Sequence, residues 1–306
     1  MIIDKNSYFS KKKEFESEII YHSKEIFCKI NYLVKKGNKK ALIWIHGYND
    51  YFYHYHISDL LIKKKYDIYT LDLQNYCQTN INKDYLYHIK DLKNYYKDID
   101  STFNNLKKDY DKIYLYGHST GSLISSLYCY DGFYREKITG LILNSPFFDF
   151  NECFIKNIIL KNLIYYIGVY YPTFQIIKEN ENKINNNSID ILKRFYFEPE
   201  YKLCHNGPVT AGWVKTIIDY QKFIKDKNLD IKIPILCLYS SKNVINNSIE
   251  KGDDILNIND ISKYVDNLGK NVTEVIIVNA VHDIFTSDKK PLDFAIKILL
   301  EWLDKN

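Results

Sequence analysis

The stretch Tyr116-Gly117-His118-Ser119-Thr120-Gly121 places a serine with glycine two residues before it and two after it. It sits between a β-rich run at 112–116 and a helix-like run at 120–130, which limits what the backbone can do there. A sharp strand-to-helix turn lifts the central hydroxyl off the end of a sheet. Residues without a side chain at the flanking positions let the backbone close without a clash. The first N–H groups of the following helix lack partners and lie at its positive end, so they suit an oxyanion. With 11 Gly in 306 residues, glycines do not fall into this pattern by default. A nucleophile is the reading this turn favours; a phosphate-binding or purely structural turn is the alternative.

The rest of the chain supplies the sheet. Strand-like runs at 26–34, 41–45, 67–71, 138–143, 233–239 and 272–278 alternate with helix-like runs at 55–64, 85–107, 258–268 and 291–303. Such alternation predicts an α/β fold, a mostly parallel central sheet flanked by helices on both faces. From 150 to about 227 the rhythm breaks into helix-like segments with no convincing strand, around a polar tract at 179–188. The predicted organisation is a core at 1–150 and 228–306 with a helical insertion, a cap or lid, at 151–227. In that insertion Phe154, Ile155, Ile158, Ile159, Leu163, Ile164 and Ile167 form one apolar stripe, which suits either covering an acyl chain or packing on the core.

Composition excludes several classes. The chain is 46% hydrophobic and 26% charged with a formal net charge of +4, which rules out global disorder and a collagen-like chain. Arg135 and Arg194 are its only arginines, a poor basis for a nucleic-acid surface. Residues 1–6 lack the basic and apolar runs of a secretory signal, and no apolar run is long enough for a spanning helix. Six scattered cysteines without a CxxC pair read as free thiols rather than a disulfide or zinc framework, so the expected compartment is cytoplasmic.

A serine nucleophile needs an oxyanion hole, a base and an orienting acid. The run Ile43-Trp-Ile-His-Gly-Tyr-Asn-Asp50 ends a strand where active sites of such sheets assemble. Gly47 permits a turn that aims the Tyr48 N–H toward Ser119, paired with the Thr120 N–H. His46 is expected to be a structural hydrogen-bonding residue, and His118 a packing residue. The base is His282, which follows the strand at 272–278 and precedes the last helix. His22, His88 and His205 read as surface residues. His54 and His56 have H-x-H spacing, but no carboxylate or Cys cluster completes a metal site. The acid should follow the strand at 233–239, where counting onward reaches Asn243. The pattern Gly252-Asp-Asp-Ile-Leu-Asn257 then points to Asp253, with Asp254 the alternative and Asn246 and Asn247 part of a loop insertion.

These motifs, in this chain order, resemble the α/β-hydrolase superfamily. More narrowly they are similar to its lysophospholipase and monoacylglycerol-lipase-like branch, also described as serine aminopeptidase-like. The matching stretches are 45–52, 69–73, 208–213, 253–256 and 268–273 leading to Val281-His-Asp283. In place of the branch's usual Gly-Arg-Ser-like turn the chain has Gln74-Asn-Tyr-Cys-Gln-Thr79, and its acid is displaced. The resemblance implies a Ser119–His282–Asp253 hydrolase of carboxylic esters such as lysophospholipids or monoacylglycerols. It also implies a helical cap between the sixth and seventh strands, and no metal or organic cofactor. Transient contact with a membrane surface is compatible with such a cap. Peptidase or thioesterase activity, or a non-catalytic ligand-binding pseudohydrolase, are the competing expectations.

Overall fold

The computed structural model describes residues 4–80, 85–150, 158–177, 194–198, 201, 208–244 and 251–306, without the side chains of 158 and 159. Its main sheet has eight strands: β1 (Glu16–Tyr21), β2 (Phe27–Leu33), β3 (Lys40–Ile45), β4 (Tyr66–Asp72), β5 (Lys112–His118), β6 (Gly140–Asn144), β9 (Ile235–Ser240) and β10 (Val272–Ile277). Their order is β1-β2-β4-β3-β5-β6-β9-β10. The pairs from β4 through β10 are parallel, and β2 joins β1 and β4 antiparallel.

The central strands are buried along their length, as sheet strands covered on both faces must be. Because side chains alternate across a strand, β3 feeds two cores. Ile43 and Ile45 join Leu115 and Leu143 beneath α3 (Tyr96–Asn104), α4 (Thr120–Asp131), α6 (Ala211–Asp226) and α7 (Ile258–Val265). Leu42 and Trp44 join Tyr116, Ile142 and Leu238 beneath α1 (Lys5–Lys12), α2 (Tyr55–Lys63) and α8 (Lys289–Lys305). Trp44 stacks on Tyr116 with ring centroids 3.6 Å apart, at the strand ends that carry the glycine turns.

Three expectations are corrected. The run 85–107 is not one helix: a 3-10 turn at Leu92–Tyr95 leads into α3, and Tyr87 stands at φ 61, which no α-helix accepts. The chain between β6 and β9 contains α5 (Ile158–Tyr170) and α6, but also a ribbon of β7 (Gln175–Ile177) paired with β8 (Val209–Thr210). The apolar stripe divides as well. Ile164 is buried and Gly168 lies against the Ala211 carbonyl of α6, whereas Leu163 is exposed, because the interface follows the i, i+4 row through 164 and 168. Phe154, Ile155 and the tract 179–188 lie outside the described residues.

Candidate active site

The turn at the end of β5 is built by close backbone approach. A Cβ at Gly117 would stand 2.5 Å from the Gly121 carbonyl oxygen, and one at Gly121 would stand 2.4 Å from that of His46 and 2.6 Å from that of Ile45. The glycines thus let the start of α4 press onto the end of β3. Between them Ser119 takes φ 53 and ψ −116, a strained conformation for a residue with a side chain. Hydrogen bonds hold it there. The Ser119 N–H donates to the Asn144 carbonyl at 2.9 Å, and the Ser119 carbonyl accepts from the N–H groups of Ser122 at 3.0 Å and Phe147 at 3.2 Å. Ser122 Oγ braces the turn from beneath, donating to the Gly117 carbonyl at 2.6 Å. Gly121→Ala is expected to cost about 1–3 kcal/mol by overpacking. A lowered urea midpoint together with lost turnover would show it; unchanged stability would mean that α4 shifts freely.

The Ser119 N–H is spent on β6, so it is not an oxyanion donor. Thr120 opens α4, where a helix has no carbonyl to offer its first N–H groups. Tyr48 follows Gly47, and a Cβ on Gly47 would lie 3.1 Å from His118 Nδ1 and 3.2 Å from Ser119 Cβ, so this turn rests on the serine turn. Among the described residues neither the Tyr48 nor the Thr120 N–H donates to a backbone carbonyl. His46 has the structural role expected of it. Its Nδ1 lies 2.8 Å from the Gly47 carbonyl oxygen, and its Nε2 accepts from the Leu73 N–H at 3.2 Å.

His282 lies in the loop after β10, with Nδ1 2.8 Å from Asp253 Oδ2. Asp253 is fully buried, and its Oδ1 accepts from the N–H groups of Ile255 and Leu256, both at 2.8 Å. The displacement from position 243 is bridged physically: Asn243 and Asp253 form a parallel bridge, and the Asp253 N–H donates to the Lys242 carbonyl at 2.9 Å. Asp253 therefore comes back to the end of β9. Asp253, not Asp254, makes this bond with His282; Asn246 and Asn247 lie outside the described residues.

Electrostatics follow this geometry. Burial pushes the His282 imidazole down, but the charge and hydrogen bond of Asp253, with the charges of Asp254 and Asp283, outweigh it. Its pKa therefore lies above the ordinary 6.5. Burial raises Asp253, yet His282 and the two backbone N–H groups hold it below the ordinary carboxylate value. Burial raises Asp254. Both partners of the pair thus shift as an ion pair does. His118 differs: burial lowers its pKa despite Asp50, whose Oδ2 is 3.2 Å from its Nδ1. Its ring, 5.1 Å from that of His282, packs against that imidazole as a neutral neighbour.

Sequence reasoning missed a buried network behind His282. His54 Nε2 lies 2.6 Å from Asp283 Oδ2, while Asn144 Nδ2 donates to Asp283 Oδ1 at 2.9 Å and to the Tyr116 hydroxyl at 2.7 Å. His56 Nε2 lies 2.9 Å from the Phe285 carbonyl oxygen, so the H-x-H pair locks the loop that carries His282. The H-x-H spacing of His54 and His56 and the adjacency of His282 and Asp283 are its traces in the sequence, and neither shows that the two meet. His88 and His22 are not simple surface residues. His88 is buried with Nδ1 2.9 Å from Thr210 Oγ1, and His22 Nε2 lies 2.6 Å from buried Asp98 Oδ1. His205 lies outside the described residues. Cys28 stands beside His22 and Asp98, and Asp98 also accepts from the Gln74 N–H at 2.9 Å and Nε2 at 3.1 Å, so its carboxylate ties His22 to the start of the 74–79 turn.

A cleft of about 590 Å³ lined by Lys242, Lys251, Lys289 and Lys290 contains none of Ser119, His282 or Asp253. Among the described residues no helix is long and apolar enough to cross a membrane.

Comparison with solved structures gives the same fold. A soluble variant of monoglyceride lipase from Saccharomyces cerevisiae, solved with a substrate analogue, superposes with a TM-score of 0.73 at 15% identity, covering 95% of this chain and 96% of that one. A monoacylglycerol lipase from Paleococcus ferrophilus gives 0.68 at 17% identity, covering 91% and 98%. The thioesterase domain from the curacin biosynthetic pathway gives 0.56 at 15% identity, covering 94% and 99%. No curated protein matches the chain in sequence. The family described as serine aminopeptidase, S33, matches residues 36–289, a span that holds the glycine turns of β3 and β5 and reaches past the last strand to His282. On that match, over more than half its length, the chain belongs to the S33 serine aminopeptidase family of α/β hydrolases.

Proposed function

We propose that the chain is a serine hydrolase of carboxylic esters, with monoacylglycerol or lysophospholipid-type lipids as substrates. The observation that carries this reading is the 2.8 Å contact of His282 Nδ1 with Asp253, with the His282 ring 5.1 Å from that of His118, the residue before a serine held at a strained turn. With Nδ1 bound to the acid, Nε2 is the ring atom left for proton transfer. Ser119 Oγ attacks the ester carbonyl as its proton passes to His282 Nε2, and the tetrahedral oxyanion takes the N–H groups of Tyr48 and Thr120. The same proton passes to the departing alcohol. Water activated by His282 then releases the acid from the acyl-enzyme. Every step uses side chains or backbone of this chain, so the reading requires no metal or organic cofactor. Residues 151–227 act as the cap in this reading.

The choice of lipid esters rests on two supports. Phe147, whose N–H donates to the Ser119 carbonyl, lies in a buried aromatic group with Phe150 and Trp213, and apolar surface of this kind suits an acyl chain. The other is fold likeness to two proteins named as monoglyceride or monoacylglycerol lipases. A fluorophosphonate probe is expected to label the folded protein at Ser119 and to leave Ser119→Ala unlabelled. A panel of acyl p-nitrophenyl esters and aminoacyl amides should show turnover of the esters. Equal labelling of both proteins removes Ser119 as nucleophile, and preferential turnover of amides makes the enzyme a peptidase.

A further inference from the structure

We infer that Tyr48 is a positioning residue: through its side chain, the segment inserted between β6 and β9 sets the oxyanion-hole N–H that Tyr48 carries. This rests on the catalytic reading above. The Tyr48 ring lies between two others, 4.8 Å from Tyr87 and 4.5 Å from Trp213. Its hydroxyl donates to the Pro208 carbonyl at 2.6 Å. Pro208 directly precedes β8, and Trp213 stands in the first turn of α6, so both anchors belong to the insertion.

The anchors are themselves fixed. Thr210 caps α6, accepting from the Trp213 N–H at 3.2 Å. Thr216 Oγ1 donates to the Lys90 carbonyl at 3.1 Å, and Gln221 Nε2 to the Phe147 carbonyl at 3.1 Å. The second ring grips the same turn twice, because the Tyr87 hydroxyl also donates to Asn49 Oδ1 at 2.9 Å. Asn49 stands at φ 51 and Tyr87 at φ 61, so two non-glycine residues hold left-handed conformations to make this clamp.

These contacts fix the residue that carries the N–H and so limit how far the Tyr48 N–H can swing. Removal of an oxyanion donor costs about 10²–10³ in kcat, and that stabilisation exists only if the donor is aimed before the reaction starts. A side chain that aims the donor without touching the ground-state ester acts on kcat and not on KM.

The test compares wild type with Tyr48→Phe, which removes only the hydroxyl, on an ester and its thionoester, in which sulfur replaces the carbonyl oxygen. Sulfur accepts hydrogen bonds weakly, so the oxo-to-thiono rate ratio reads the oxyanion hole rather than the amount of folded enzyme. The expected result is a fall in kcat of about 10-fold, a fraction of the full donor effect, with KM unchanged and a smaller ratio. Trp213→Phe, which draws the ring away from Tyr48, is expected to reduce the ratio as well and serves if Tyr48→Phe folds poorly; because Trp213 also belongs to the apolar surface assigned to the acyl chain, this variant is read by its ratio alone and not by its KM. An unchanged ratio in the folded variants, or a loss in Tyr48→Phe expressed only in KM, overturns the role of Tyr48 while leaving the hydrolase reading intact. Absence of wild-type turnover overturns the catalytic reading itself.

Discussion

Ser119→Ala is expected to lower kcat on an acyl ester by roughly 10⁵–10⁶-fold, with the fold retained. Only one atom is lost. Alanine keeps the Cβ, so the cost of φ 53 is common to both proteins. The bonds that hold the turn come from backbone groups and from Ser122 Oγ, none of which uses the Ser119 hydroxyl. The urea midpoint should therefore correspond to a change within about 0.5 kcal/mol, while initial rates collapse to the level that the oxyanion donors alone sustain. A variant that retains even one-hundredth of the wild-type rate, about 2.7 kcal/mol of barrier by the tenfold rule, would place the nucleophile elsewhere.

Ser119 and its two glycines were legible because their constraint is steric and local. The contacts at 2.4–2.6 Å that a Cβ would make leave no other residue for positions 117 and 121. Asp253 was legible for a different reason. Its carboxylate accepts the N–H groups of the two apolar residues that follow at 255 and 256, so the Asp-x-apolar-apolar pattern is the imprint of that cap. The buried parallel strands could be read from their apolar runs. The half-exposed hairpin strand β1, with Glu16, Ser17 and Glu18 among its residues, could not.

What escaped the sequence is mostly long-range. His54 and Asp283 are 229 positions apart, and nothing near either announces the other. The run 85–107 has helical spacing of apolar residues, yet Tyr87 turns left-handed there to reach Asn49, a tertiary demand that overrides local periodicity. His22 and His88 were misplaced for the same reason, since both find their partners on distant segments.

Asp253→Asn carries the other large expected effect, a fall in kcat of about 10⁴-fold at neutral pH. The cause is the tautomer. Asp253 Oδ1 is fixed by the Ile255 and Leu256 N–H groups, so the amide oxygen of Asn will take that position and its NH₂ will face His282 Nδ1. The imidazole must then accept at Nδ1 and carry its proton on Nε2, where it cannot receive the one from Ser119. The pH dependence tests this independently. In the wild type the base is active when neutral, so kcat/KM should fall as pH drops through a pKa above 6.5. Without the Asp253 charge, burial dominates and that limb should move down, although Asp254 and Asp283 still oppose it. Stability follows a different window. The lowered Asp253 contributes above its unfolded pKa of about 3.9 and loses its effect as pH falls through the folded value. The raised His282 contributes below about 6.5 and loses its effect as pH rises through its folded value. The variant's deficit in urea stability should therefore be greatest between those two values, near pH 5, where the wild-type base is mostly protonated. A deficit in activity and a deficit in stability that peak at the same pH would mean that Asp253 only supports the loop and does not orient the base.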